Sequence, residues 1–341
     1  MLHTYVAENN KKKVRQLLMS GENPNRKDDI GMTPLHIAAG LDDKDMMIIL
    51  LACVDIDVNS RDNNGKTPLH IATYKFCVNS VIYILASEGV DIESRDNRGN
   101  TPLFYCTDHI DPRIINLLLF MGANVNAINN NMECPLHHAV YDKNQNTIEI
   151  LLNNDADPNV RDRLGNTPLN DAIWDCVDNT IVEKLLTKGA DPTICDFDNV
   201  GPLHGSVWRN NYDITTILLD LLDPNCRCID GITPLFLASQ EGHTDIVELL
   251  LDAGANPDIQ TNDGLCPINV ASDDDTYILL LYNISLDEAI VTHDVCPICL
   301  ENDRLLFKVN CCNTYLHREC AIDWGRKDCP VCRRLIFCID R

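Results

Sequence analysis

Eight side chains that favour metal binding lie close together near the end of the chain. They comprise two Cys-x-x-Cys pairs and, between the pairs, three cysteines and a histidine: Cys296, Cys299, Cys311, Cys312, His317, Cys320, Cys329 and Cys332. Zinc binds four sulfur or nitrogen ligands in a tetrahedron, and a catalytic zinc leaves one of those positions for water. Eight ligands therefore predict two closed structural Zn²⁺ sites without catalytic water.

A disulfide framework is the alternative for these residues. The chain holds 17 cysteines. Its first residues, MLHTYVAENNKKKV, contain a basic cluster, but the apolar core of a secretory signal does not follow it. We therefore expect a reducing compartment, the cytoplasm or alternatively the nucleus, where thiols stay reduced or bind metal. A module of about 45 residues is too small to fold on hydrophobic burial alone, so the metal should supply much of its stability.

The segment that carries these ligands resembles a RING finger. In that family the ligand pairs interleave, so that the first and third pairs hold one zinc and the second and fourth hold the other. The resemblance implies one site of Cys296, Cys299, His317 and Cys320, and a second of Cys311, Cys312, Cys329 and Cys332.

One ligand departs from the RING spacing. In the family a single residue separates the third and fourth ligands, and counting back from His317 puts Cys312 third and Thr314 fourth. Threonine is a poor zinc ligand, so we expect the adjacent Cys311 and Cys312 both to bind after a local adjustment of the loop. Cys338 or a water molecule is the alternative that would complete this site.

Four positions of the tail match RING residues that bind a ubiquitin-conjugating enzyme. Ile298 and Trp324 match apolar contacts of the family's shallow groove, and Pro330 lines the same groove. Arg333 matches the arginine that contacts both ubiquitin and its carrier and holds the thioester in a reactive pose. In the plainer interpretation, Trp324 is a core residue and Arg333 is an ordinary surface charge.

The resemblance also implies a mechanism, a RING-type ubiquitin transfer without a covalent intermediate on this chain. Among the tail cysteines only Cys338 is left over, and no base neighbours it in sequence. The conjugating enzyme would supply the thioester, the RING would restrain it in an attack-ready geometry, and a substrate lysine would attack. Such catalysis works through positioning.

The long region before the tail is built from an internal repeat. Gly-x-Thr-Pro-Leu recurs at intervals of about 33 residues, and it starts at Gly31, Gly65, Gly99, Gly165 and Gly231, with degenerate copies at Met132, Asn199 and Gly264. Proline suits the first turn of a helix, and the threonine before it can cap that helix. A second helix with apolar spacing follows, as at Ile148, Leu151 and Leu152, and a glycine ends it.

These units resemble ankyrin repeats, whose signature is TPLHxA. The resemblance implies a mainly α fold, a solenoid of helix-turn-helix repeats with β-hairpin tips, followed by a small two-zinc RING domain. We expect about nine repeats over residues 1–284, the first and last atypical, a short linker at 285–295 and the RING finger at 296–341. The TPLH histidines recur one per unit and predict a structural hydrogen-bonding role.

Ankyrin arrays serve as protein-binding surfaces, and one exposed position of each repeat lies six residues beyond the proline. Four of the residues in that column are aromatic: Tyr74, Tyr141, Trp174 and Trp208. Tyrosine and tryptophan are enriched at binding hot spots, so the column predicts a substrate-binding surface. The alternative is that the rings pack against neighbouring repeats.

Charge limits the partners of this protein. Lys and Arg number 28 against 51 Asp and Glu, a net charge of −23. Binding to nucleic acid or to anionic membranes depends on basic residues, so neither partner is expected. The acidic surface instead favours a basic protein segment.

Two functions from different classes follow from these observations. In the first, the repeats bind a protein substrate and the RING recruits a ubiquitin-conjugating enzyme carrying ubiquitin, an architecture similar to that of the mind bomb ligases and of viral ankyrin–RING proteins. In the second, the chain is a non-catalytic ankyrin scaffold with a structural zinc module. The match of Ile298, Trp324, Pro330 and Arg333 favours the ligase.

Overall fold

The computed structural model describes residues 1–107 and 112–283, together with two short strands at 306–309 and 314–317. The chain divides into two compact units, Met1–Ala190 and Asp191–Arg341. The described helices of each unit stack as pairs, one pair for each sequence repeat, and the mainly helical repeat fold predicted from the sequence is confirmed.

The first unit contains six pairs among its described residues. They are α1 (Leu2–Ala7) and α2 (Lys11–Met19), α3 (Pro34–Ala39) and α4 (Lys44–Leu51), α5 (Pro68–Tyr74) and α6 (Val78–Leu85), a 3₁₀ helix (Pro102–Cys106) and α7 (Arg113–Phe120), α8 (Pro135–Tyr141) and α9 (Gln145–Asn153), and α10 (Pro168–Trp174) and α11 (Asn179–Thr187).

The second unit contains three described pairs and a hairpin. The helices are α12 (Pro202–Trp208) and α13 (Tyr212–Leu219), α14 (Pro234–Glu241) and α15 (Thr244–Asp252), and α16 (Pro267–Val270) and α17 (Asp274–Asn283). Strands β1 (Leu306–Val309) and β2 (Thr314–His317) pair antiparallel, with Leu306 opposite His317.

The first helix of each repeat starts at the proline of the repeated motif. Where threonine precedes that proline, its backbone is extended, as at Thr33 with φ −88° and ψ 164°. The Thr167 hydroxyl accepts a hydrogen bond from the Asn170 N–H, the cap that the sequence predicts. A glycine follows the end of the second helix, as at Gly189, two residues beyond α11, whose φ of 92° is a left-handed conformation that favours glycine.

Apolar side chains of the second helices form the core between successive repeats. Ile148, Leu151 and Leu152 of α9 are all buried, as their spacing predicts, and Ile246, Val247 and Leu250 of α15 are buried in the second unit. Because each repeat shields only its neighbours, stability comes from a series of local interfaces.

The tips that join successive repeats are tight turns. At one of them the Asp62 N–H donates to the Lys66 carbonyl at 2.9 Å, and the Asn63 N–H donates to Ile30 of the preceding repeat at 3.0 Å. The resemblance implies β-hairpin tips. These tips turn like hairpins but contain no β-strands, since residues 1–107 and 112–283 hold no strand. Across the described chain, every helix is too short or too polar to cross a bilayer.

Candidate functional site

A groove of about 500 Å³ opens across the third, fourth and fifth repeats of the first unit. We call it the 74–142 groove, after the first and last residues that line it. Its walls are mainly aromatic and charged side chains, those of Tyr74, Arg98, Phe104, Tyr105, His138 and Asp142. Most of these belong to the first helices of three successive repeats. Arg98 lies in the turn before the 3₁₀ helix, and Asp142 directly follows α8.

A lysine lies against two tyrosine rings beside this groove. Lys66 Nζ is 4.3 Å from the ring centroid of Tyr105 and 4.9 Å from that of Tyr74. The two rings meet edge to face, with centroids 5.9 Å apart and planes at 86°. Burial lowers the pKa of the Lys66 ammonium. The faces of the two rings attract the positive charge of the protonated group. The ammonium thereby ties the third repeat to the fourth.

Asp96 anchors the second of these rings. The Tyr105 hydroxyl donates to Asp96 Oδ2 at 2.5 Å, while the backbone N–H groups of Arg98 and Asn100 donate to Asp96 Oδ1 at 2.8 and 3.0 Å. Burial, followed by the nearby carboxylate, raises the pKa of the Tyr105 phenol, which therefore stays protonated at neutral pH. Three donors thus engage the carboxylate of Asp96.

The opposite end of the groove is formed by the fourth and fifth repeats. The Thr107 hydroxyl donates to Asp142 Oδ2 at 2.7 Å. The imidazole of His138 lies edge to face with Phe104, their centroids 5.1 Å apart, and His138 Nε2 is 3.1 Å from a carboxylate oxygen of Glu133. This end of the groove therefore combines the apolar ring of Phe104 with the hydrogen-bonding groups of Thr107, Asp142 and His138.

The predicted aromatic column is only partly a free surface. Tyr74, Tyr141 and Trp208 are 54%, 73% and 43% exposed, as expected. Trp174 is half-buried, and Tyr74 packs its edge on Tyr105 of the next repeat, so packing and exposure coexist in this column. Of the four, Tyr74 alone lines the groove, and substrate binding by the column stays a prediction.

The recurrent histidines have the structural role that the sequence predicts. The Thr33 N–H donates to His36 Nδ1 at 3.1 Å, and His36 Nε2 lies 3.0 Å from the Lys66 carbonyl of the next repeat. His70 makes the same pair of contacts, to Thr67 and to the carbonyl of Asn100. Each imidazole caps its own helix and bridges to the following repeat. Burial lowers the pKa of these imidazoles, that of His70 to about 4.

The seventh repeat modifies this arrangement with cysteines. Gly201 replaces the capping threonine, and a Cβ added there would lie 2.8 Å from Cys195 Sγ. His204 Nδ1 is left 3.5 Å from the Gly201 nitrogen and 3.9 Å from Cys226 Sγ. The thiols fill the space of the missing side chain. Within the described residues, no three His, Cys, Asp or Glu side chains form a group able to hold a metal ion.

The nine cysteines of the repeats differ in their burial. Cys77, Cys106 and Cys134 are buried, but Cys176 is exposed and five others are half-buried. Those five occupy turns and helix ends, where a small side chain is only partly covered.

The predicted residues of the tail lie outside the described part of the chain. This holds for Ile298, Trp324, Pro330, Arg333 and seven of the eight predicted zinc ligands, namely Cys296, Cys299, Cys311, Cys312, Cys320, Cys329 and Cys332. The eighth, His317, is the last residue of β2. The zinc sites and the contacts with a conjugating enzyme stay predictions.

Comparison with protein families decides the class of the repeats. The family of ankyrin repeats matches in three copies, over residues 2–96, 103–196 and 203–289, which together exceed half of the chain. The chain belongs to the ankyrin-repeat family. The 74–142 groove accordingly lies in a protein-interaction domain, since ankyrin repeats bind protein partners.

Individual relatives are similar over ankyrin repeats alone. The chain is 33% identical over 95 residues to the E3 ubiquitin-protein ligase KEG of Arabidopsis thaliana and 28% identical over 92 residues to the human ankyrin repeat and SOCS box protein 3. These alignments cover 27% and 26% of this chain, but only 6% and 18% of those proteins.

A solved structure shows the same fold. The crystal structure of the ankyrin repeat domain of Bcl-3 superimposes with a TM-score of 0.54 and 25% sequence identity. The alignment covers 59% of this chain and 91% of that domain.

The sequence did not single out Arg98, Tyr105 and His138 as groove residues. Tyr105 and His138 occupy the same repeat position, three residues after the proline, where the neighbouring repeats carry Ile71 and Asp171. A comparison of the residues three positions after each proline would have detected the change from aliphatic to aromatic or charged residues.

Proposed function

We propose that this chain is a RING-type ubiquitin ligase whose ankyrin repeats bind the substrate. The ankyrin repeats are protein-interaction modules, and the 74–142 groove offers a recessed surface with exposed aromatic and basic groups. The tail would recruit a ubiquitin-conjugating enzyme charged with ubiquitin. Transfer to a substrate lysine would then depend on how the two modules position their partners.

The ligand spacing of the tail is the observation that carries the catalytic half of this proposal. Thiolate and imidazole groups are the donors that structural zinc prefers, and eight of them suit two ions. Cys296, Cys299, His317 and Cys320 would hold the first, and Cys311, Cys312, Cys329 and Cys332 the second. The metals would supply fold stability alone. The β1–β2 hairpin is compatible with this scheme, because Cys311 and Cys312 lie between its strands in sequence.

Residues of the chain would supply the docking surface. Ile298, Trp324 and Pro330 would contact the conjugating enzyme, and the Arg333 guanidinium would bridge enzyme and ubiquitin through its several donors. The relationship to KEG supports the proposal only in its ankyrin half, because the similarity ends within the repeats.

Ubiquitin-chain formation with a panel of purified conjugating enzymes tests this function. The intact chain should promote chain formation, and Ile298→Ala and Arg333→Ala should each reduce the rate by about tenfold or more, because both act on positioning. Arg334→Ala is the matched control and should keep the rate. All three variants should retain two zinc ions per chain by elemental analysis.

The scaffold alternative makes a different forecast in the same experiment. It expects zinc in the purified protein but no chain formation with any conjugating enzyme. Equal rates for the intact chain, Ile298→Ala and Arg333→Ala would also reject the ligase. Absence of zinc would reject both functions.

A further inference from the structure

The charges around the 74–142 groove are unusual for this acidic protein. Lys75 and Arg98 line it, both are exposed, and neither forms an ion pair within the described residues. Lys66 is already held against two rings, so that Lys75 and Arg98 are the exposed cations among the described residues that line the groove. In a chain of net charge −23, these two side chains are available for an anion.

Among the described residues, the carboxylates of Asp142, which lines the groove, and of Asp96, which lies beside it, are by contrast already engaged. Asp96 accepts hydrogen bonds from Tyr105 and from two backbone N–H groups, and Asp142 accepts one from Thr107. An incoming basic group would have to compete with these internal donors. An incoming carboxylate would meet the unpaired guanidinium of Arg98, whose planar fork matches a carboxylate in geometry.

Aromatic surface lies next to these cations. The Tyr74 ring is 54% exposed, and the half-buried ring of Tyr105 and the buried ring of Phe104 form the floor behind it. A ligand that covers the exposed part of Tyr74 would remove apolar surface from water, and tyrosine and arginine together are frequent hot-spot residues. The groove therefore combines an apolar subsite with an anion subsite.

We propose that the 74–142 groove binds an extended segment of a partner protein that carries an acidic side chain next to an aromatic or large aliphatic one. The carboxylate contacts Arg98 and Lys75, and the apolar side chain covers Tyr74. Salt at physiological concentration screens interactions between exposed charges beyond about 8 Å. Repulsion from the acidic remainder of the chain therefore does not prevent this local contact. The inference rests on the protein-binding half of the proposed function and is independent of ubiquitin transfer.

A random twelve-residue peptide library displayed on phage and selected on the full chain tests this proposal. Selected peptides should share Asp or Glu beside Phe, Tyr, Trp, Leu or Ile. Synthetic fluorescein-labelled copies are then titrated with the full chain and followed by fluorescence anisotropy. The variant Lys75→Glu with Arg98→Glu should weaken binding about tenfold or more, as expected when charge-assisted contacts are reversed.

Matched variants separate the groove from general charge effects. Lys12→Glu with Lys13→Glu makes the same change in charge at exposed positions of the first repeat and should leave affinity within about twofold. Replacing the acidic residue of a selected peptide with lysine should restore binding to the groove variant. If Lys75→Glu with Arg98→Glu loses its helical circular dichroism, Lys75→Gln with Arg98→Gln takes its place.

Three results would overturn the proposal. They are a selection that enriches no peptide, one that enriches peptides without acidic residues, and equal losses of affinity in the groove and control variants. None of these measurements uses ubiquitin or a conjugating enzyme. A chain without ligase activity that still binds these peptides would refute the proposed function and leave this inference standing.

Discussion

Asp171 carries a carboxyl group whose charge the fold disfavours. It lies half-buried on α10, and Asp162, Asp175 and Glu133 add repulsion to the effect of burial, so that the pKa rises from 3.8 to about 7. Asparagine has nearly the same shape and no charge. We therefore expect Asp171→Asn to stabilise the protein at alkaline pH.

The magnitude follows from the pKa. When the folded-state pKa of an acid is raised, its contribution to stability is complete below the unfolded pKa of 3.8 and is lost as pH rises through about 7. A shift of this size corresponds to about 4 kcal/mol at 1.36 kcal/mol per pKa unit. Partial exposure of Asp171 screens the charge, so we expect Asp171→Asn to gain about 2 kcal/mol at pH 8 and almost nothing near pH 4.

Urea unfolding at pH 4.5 and at pH 8, followed by tryptophan fluorescence and circular dichroism, measures this difference. Trp174 lies on the same helix and reports on that repeat. Asp29→Asn, at an exposed position, makes the same chemical change and should alter stability equally little at both pH values. The reasoning is refuted if Asp171→Asn gains no more at pH 8 than at pH 4.5, or if Asp29→Asn gains as much.

Three further changes probe the capping histidines. His70→Ala removes the contacts to its own helix and to the Asn100 carbonyl, and should lower the free energy of unfolding by about 1–3 kcal/mol in urea titrations. Because the pKa of His70 is about 4 when folded, its contribution to stability is complete above about pH 6.5 and falls as pH drops towards 4; a His70→Ala chain should show a shallower acid loss. Gly201→Thr alone should lower the free energy of unfolding, because the new side chain would collide with Cys195 Sγ. Gly201→Thr with Cys195→Ala should raise that free energy by about 1 kcal/mol in urea titrations, because a hydroxyl again reaches His204. A double variant less stable than the single one would contradict this reconstruction.

The repeat organisation could be predicted almost entirely from the sequence. Helix starts at Pro34, Pro68 and Pro168 and the left-handed glycines follow from local preferences that act within a few residues. The first thirty residues also predict a helix pair, at Leu2 to Glu8 and Lys12 to Ser20, and α1 and α2 lie within one residue of those bounds.

The groove could not be predicted in the same way. It depends on Lys66 of one tip reaching Tyr74 of its own repeat and Tyr105 of the next, a contact set by how the repeats stack. The half-burial of Trp174 likewise depends on stacking. A column in the sequence shows which residues occupy equivalent positions, but their exposure is decided by the sizes of their neighbours.

The fourth repeat carries Phe104 where its neighbours carry the bridging histidine. His36, His70 and His137 each reach a carbonyl one repeat further on, but the Phe104 side chain has no donor to offer and packs edge to face with the His138 ring. The 74–142 groove straddles this joint. A bound segment would therefore contact both the fourth and the fifth repeat and supply the link between them that the phenyl ring cannot make. We expect amide protons on both sides of the joint to exchange more slowly once the groove is filled.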